Sequence, residues 1–126
     1  MGPATLVERD IENGKKALQA LDAEGLDVRS ALWLFEREAG WKFVLAMPSL
    51  KEKGPLATYE RVRKALTKSN VEMPLANVTL LSTGEGLPKS LRAAIKTNRK
   101  AIESIRFSHN RIGDTFIDDA WIYRSA

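Results

Sequence analysis

The segment 28–47 (VRSALWLFEREAGWKFVLAM) limits the folds open to this chain more than any other. Two runs rich in aromatic and aliphatic residues, Val28 to Phe35 and Trp41 to Met47, are separated by EREAG, whose Gly40 can take a positive-φ turn position. The pattern reads as a β-hairpin. In its second strand Trp41, Phe43, Leu45 and Met47 share one face, while Lys42, Val44 and Ala46 share the other. A hairpin with one side this apolar needs a helix laid against it.

Helical spacing occurs on both sides of the hairpin. From Leu6, the positions Val7, Ile11, Gly14, Leu18 and Leu21 form one narrow stripe, and Gly25 suits a helix C-cap. Pro48 ends the hairpin, and Gly54-Pro55 opens a second helix whose expected buried stripe is Leu56, Tyr59, Val62 and Leu66. Asn70 to Pro74 is a connection, Val78 to Leu81 a short buried strand, and Ser82 to Gly86 a loop. Pro88 to Thr97 returns to helical spacing through Leu87, Leu91, Ala94 and Ile95. A second hairpin follows within Ile102 to Tyr123, turning near Asn110 to Asp114. The expected order is α-β-β-α-β-α-β-β: an α+β (mixed α/β) fold with a single sheet of about five strands and helices packed on it. At 126 residues the chain is expected to form one domain, residues 1–126.

The block SALWLF, then WKFVLAMPSLKEKGPLATYERVRKAL, with IRFS and FIDDAWIYR near the end, resembles a set of short bacterial proteins of uncharacterised function. The resemblance covers most of the chain and implies no activity, cofactor or catalytic residue.

No run approaches the roughly 18 to 20 apolar residues of a membrane helix. The opening MGPATLVERDIENGKK carries charges where a signal peptide needs an apolar stretch, and the expectation is a cytoplasmic protein. Zero cysteines exclude a disulfide framework, a thiol nucleophile and a Cys-ligated zinc site.

Candidate chemistry gathers in the second hairpin, with the only histidine, His109, and Asp114, Asp118 and Asp119. Carboxylates and imidazole suit a divalent metal or acid–base work. However, adjacent Asp118 and Asp119 point to opposite faces of a strand, and His109 and Asp114 flank the expected turn. The loop Thr83 to Ser90 follows a strand and opens a helix, as phosphate-binding loops do. Yet Pro88 stands where a Walker A loop needs glycine before its lysine, and Glu85 would repel phosphate. No serine lies in a G-x-S-x-G elbow, and the strand WKFVLAM carries no acid for a nuclease centre. Neither a cofactor nor a metal is expected.

The stronger signal is charge. Of the net +4, residues 1–50 hold six Lys or Arg against eight Asp or Glu, and residues 51–126 hold fourteen against eight. On helical wheels Arg61, Lys64 and Lys68 lie opposite one apolar stripe, and Lys89, Arg92, Lys96, Arg99 and Lys100 opposite another; Arg106 and Arg111 extend this set into the hairpin. Such faces also serve plain solubility. Trp33, Phe107, Trp121 and Tyr123 could stack on bases but suit a core better. The leading expectation is a binding module for nucleic acid or another acidic partner, acting without catalysis. The alternatives are an antitoxin-like accessory protein that binds a partner, or self-associates, through exposed hairpin edges, and a metal-dependent nuclease or other hydrolase.

Overall fold

The computed structural model describes residues 6–126; residues 1–5, the start of the segment judged unlike a signal peptide, lie outside them. Helix α1 (Glu8–Ala23) leads into the hairpin β1 (Ser30–Glu36) and β2 (Gly40–Ala46). Two helices follow, α2 (Ser49–Lys53) and α3 (Pro55–Lys68), then β3 (Val78–Leu81), α4 (Gly86–Ala94) and the hairpin β4 (Ile105–Ile112) and β5 (Thr115–Ser125). The α+β reading stands, with one short helix, α2, added to the expected order. Among the described residues no helix is long and apolar enough to cross a membrane.

One mixed sheet runs in the order β3-β2-β1-β5-β4. Its pairs are antiparallel except β2–β3, which is parallel across the α2–α3 crossover. The first hairpin is therefore interior on both sides, and only β3 and β4 are edges. Period-two alternation sends Trp33, Phe43, Leu45 and Tyr123 to one face with α1 and α3, and Leu32, Val44, Ala120 and Ile122 to the other with α4. Both faces are thus apolar. The expectation of one dominant apolar side missed that Leu32 and Val44 need α4 as a cover.

Three expectations require correction. Leu56, expected in the buried stripe of α3, is 83% exposed, and the stripe is Thr58, Val62, Ala65 and Leu66. Thr58 fixes this rotation, because its hydroxyl donates to Gly54 O (2.8 Å) and lies 3.3 Å from Ser49 Oγ at the α2–α3 corner. The helix expected to reach Thr97 stops at Ala94, with Ile95 extended (φ −134°). The segment beyond is tied to β5 instead: Thr97 N donates to Ser125 O and Glu103 N to Tyr123 O, both at 2.7 Å. The second hairpin turns at Gly113-Asp114, between the paired Ile112 and Thr115, with Gly113 at φ +60°. That turn lies within the expected 110–114, but His109, expected to flank it, lies instead within β4 at φ +51°, where the ladder lapses between Ser108↔Asp119 and Asn110↔Ile117.

Candidate functional site

The carboxyl ends of the parallel strands define one edge of the sheet. Leu81, Ala46, Ser30 and Ser125 pair in succession across β3, β2, β1 and β5, so they stand in one row. The chain beyond the row closes it with backbone hydrogen bonds from Met47 N to Leu81 O, Arg29 N to Ala46 O and Ala126 N to Arg29 O. After β2 the chain turns to the face that holds α3; after β3 it turns to the opposite face, where Leu91 of α4 packs. Adjacent parallel strands whose connections diverge in this way leave a crevice outside their carboxyl ends, where open α/β sheets commonly bind ligands. A crevice of about 270 Å³ lies there, lined by Pro48, Lys51, Glu52 and Ser82 to Glu85.

The same edge receives the loop 24–29 and the segment 95–104. Around them Asp27 accepts from Arg29 Nε at 2.9 Å and Arg99 Nη2 at 3.2 Å. The Arg29 hydrogen bond, more than any other influence, holds the Asp27 carboxyl below its usual range, against a smaller upward push from partial burial. Behind them Arg124 is 1% exposed. A β-bulge places it there: Ala31 pairs with Arg124 and Leu32 with Ile122, which leaves Tyr123 as the extra residue. Tyr123 and Arg124 can therefore both reach α1, although adjacent strand residues ordinarily alternate. The Tyr123 hydroxyl donates to Ile11 O, and burial pushes its pKa up. Arg124 donates in fork geometry to Asp22, Nη1 to Oδ1 at 3.0 Å and Nη2 to Oδ2 at 2.8 Å.

The expected basic surface divides. Arg61, Lys64 and Lys68 belong to α3, while Lys89 and Arg92 belong to α4 on the opposite face of the sheet. Lys96, Arg99 and Lys100 are exposed on the segment after α4 rather than on its wheel. Lys68 pairs with Glu24 (3.1 Å) and Arg99 with Asp27. Arg92 donates through Nη1 to Thr83 O at 2.7 Å, which closes the loop before α4. Arg106 grips Asp119 with Nε and Nη2 at 2.6 and 2.5 Å, and Arg111 Nη1 donates to Asp114 O at 3.4 Å in the turn. The sheet edge keeps Lys96, Arg99 and Lys100 together and adds Arg29 and Lys51, whose place at a common edge only the strand order reveals. Arg124 carried one signal in the sequence, a single charge at the end of the apolar run AWIYR; its acid, Asp22, stands 102 residues away.

The candidate catalytic groups do not converge. Asp118 pairs with Arg37 (3.4 Å) and Asp119 with Arg106, while His109 is exposed. Among the described residues no group of three His, Cys, Asp or Glu could hold a metal ion. Trp33 and Tyr123 are buried against Phe43, with ring centroids 5.1 and 6.2 Å from it, so neither offers a face to a base. A larger groove, of about 910 Å³, between α1 and residues 69–72 lies apart from this edge, and Ala20 is its only buried lining residue. Its half-buried Asn13 side chain already donates to Glu72 O at 2.7 Å across the groove, so the smaller clefts at the sheet edge are better candidates. Comparison with known proteins returns no match: neither a family model, nor a curated protein, nor a solved structure is detectably similar to this chain.

Proposed function

We propose that this protein is a binding module for the sugar–phosphate backbone of nucleic acid, and that it uses the carboxyl edge of its sheet rather than two helix faces. The observation that supports this reading is the gathering of exposed Lys51, Lys96, Arg99 and Lys100 on segments that leave that edge, with half-buried Arg29 among them. The α3 and α4 stripes lie across the sheet from each other, so a single backbone cannot track both. With Trp33 and Tyr123 buried in the core, phosphate contacts dominate; binding of this kind tolerates any sequence and weakens steeply as salt rises.

Fluorescence anisotropy with a labelled mixed-sequence oligonucleotide, repeated across salt concentrations, tests the reading. The double variant Lys51→Glu, Lys96→Glu is expected to weaken binding and to flatten the log–log salt slope by about 2. The double variant Arg61→Glu, Lys64→Glu on α3 is expected to bind like the wild type. Salt-insensitive or absent binding by the wild type would overturn the proposal, and so would equal losses in both variants. Salt-sensitive capture of a polyglutamate peptide at the same strength would assign the edge to acidic proteins instead.

A further inference from the structure

We infer that the cleft between the α1–β1 loop and the segment after α4 is a binding site for a small oxyanion, a phosphate or a carboxylate. The inference shares Arg99 and Lys100 with the nucleic-acid reading but does not rest on it, because it concerns a bounded cleft and a small ligand. The cleft has a volume of about 230 Å³, and Asp22, Leu26, Asp27, Val28, Arg99, Lys100 and Arg124 line it. That is below the roughly 300 to 1,000 Å³ of pockets for drug-sized molecules, so it suits a compact head group.

The sign of the ligand follows from which polar groups are already satisfied. Both oxygens of Asp22 accept from Arg124, and both oxygens of Asp27 accept from Arg29 and Arg99. Asp27 thus accepts four hydrogen bonds, its full capacity, and Asp22 is held in fork geometry by the buried Arg124 guanidinium, so neither carboxylate is without a cationic partner. The donors are in surplus. Arg124 has five N–H groups; four are used, on Ala101 O, Val28 O and the two Asp22 oxygens, which leaves one on Nη2 in a side chain only 1% exposed. Arg99 engages Asp27 through Nη2 alone, and among the described residues its Nε and Nη1 have no acceptor. Lys100 is exposed at the cleft and has no ion pair among the described residues. Two carboxylates thus face three lining cations, with Arg29 as a fourth beside Asp27. Buried Leu26 and Val28 lower the local dielectric, which strengthens charge-assisted hydrogen bonds to an anion.

The test is a titration followed by two-dimensional ¹H–¹⁵N NMR, with sodium phosphate and sodium acetate compared against sodium chloride at matched ionic strength. Saturable shifts are expected for phosphate, acetate or both, centred on residues 26–28, residues 99–101 and the Arg124 Nε–H. Because Arg124 substitutions risk unfolding the protein, the variants are the exposed Arg99→Gln and Lys100→Gln. Each is expected to weaken the saturating anion about tenfold, the cost of one charge-assisted hydrogen bond. Lys64→Gln, which removes a charge on α3, is expected to leave affinity unchanged. Shifts no larger than those in chloride would overturn the site, as would shifts centred elsewhere or affinity unaltered in both cleft variants. The oligonucleotide result bears on neither outcome.

Discussion

Gly14 shows how one missing methyl sets a helix's distance from the sheet. A Cβ there would lie 2.6 Å from Trp33 Nε1 and closer still to the Tyr123 hydroxyl. Neither ring can withdraw, since Trp33 Nε1 donates to Asp10 O and Tyr123 to Ile11 O, both on α1 itself. Alanine normally improves a helix interior by up to about 1 kcal/mol over glycine. Here overpacking, at about 1–3 kcal/mol, outweighs that gain. Gly14→Ala is therefore expected to lower stability by about 1–2 kcal/mol in urea denaturation, and a stabilised variant would contradict the close approach. Asp27 supports a prediction in pH. Its folded pKa is depressed, chiefly by the Arg29 hydrogen bond, so its contribution is present above the unfolded carboxylate value of about 4 and is lost as pH falls toward the lower folded value. The stability difference between wild type and Asp27→Asn, measured by denaturation at several pH values, should be constant near neutrality and shrink below about pH 4. It should also be modest, because the side chain is 47% exposed and solvent screens the pair.

Elements differ in how much of them the sequence reveals. The first hairpin was legible because VRSALWLF and WKFVLAM are strand-like by composition and Gly40 marks the turn, which it makes at φ +78°. Helix α4 was only half legible. Its apolar spacing continues through Ile95, but hydrogen bonds from Thr97 and Glu103 to β5 draw the chain out of the helix, and such long-range competition leaves no local mark. A helical wheel likewise states which side of its own helix is wet, never which face of the sheet that helix covers; hence the sequence left open whether the two basic stripes share a face, and the sheet separates them. The bulge at Tyr123 was invisible for the same reason, since it exists only in the register between β1 and β5. Its consequence can be measured. Asp22→Ala leaves the Arg124 guanidinium buried with only the Ala101 and Val28 carbonyls, and about 3 kcal/mol of destabilisation is expected, because an unpaired charge costs more than the pair gains. Adding Arg124→Met removes that charge, so the double variant should be more stable than the sum of the two single effects implies. Strict additivity in urea denaturation would show that the two side chains are not coupled.

At the scale of the whole molecule, the sheet is a wall shared by two apolar clusters. Central β1 contributes Ala31 and Trp33 to the cluster under α1 and α3, and Leu32 to the cluster under α4. Neither cluster can lose its packing without exposing the back of strands that the other needs, so the two faces should unfold together. Leu91 tests this from the smaller side. It is 1% exposed and is the main anchor of a helix of nine residues, too short to be stable by itself in water. Leu91→Ala removes a buried branched side chain and is expected to cost about 2–4 kcal/mol. The sharper expectation concerns cooperativity. All three tryptophans lie on the opposite face, Trp33 in the cluster 5.1 Å from the ring of Phe43 and Trp41 and Trp121 packed against it, so tryptophan fluorescence reports on that face. Although the lesion is on the far side of the wall, tryptophan fluorescence and far-ultraviolet circular dichroism of Leu91→Ala should shift to lower urea by the same amount and remain superimposable. If α4 instead melts first, with the tryptophan signal unmoved, the molecule consists of a stable α1–α3 half and a detachable α4 layer. The carboxyl edge, to which the segment after α4 contributes Lys96, Arg99 and Lys100, would then be assembled only when that layer is docked.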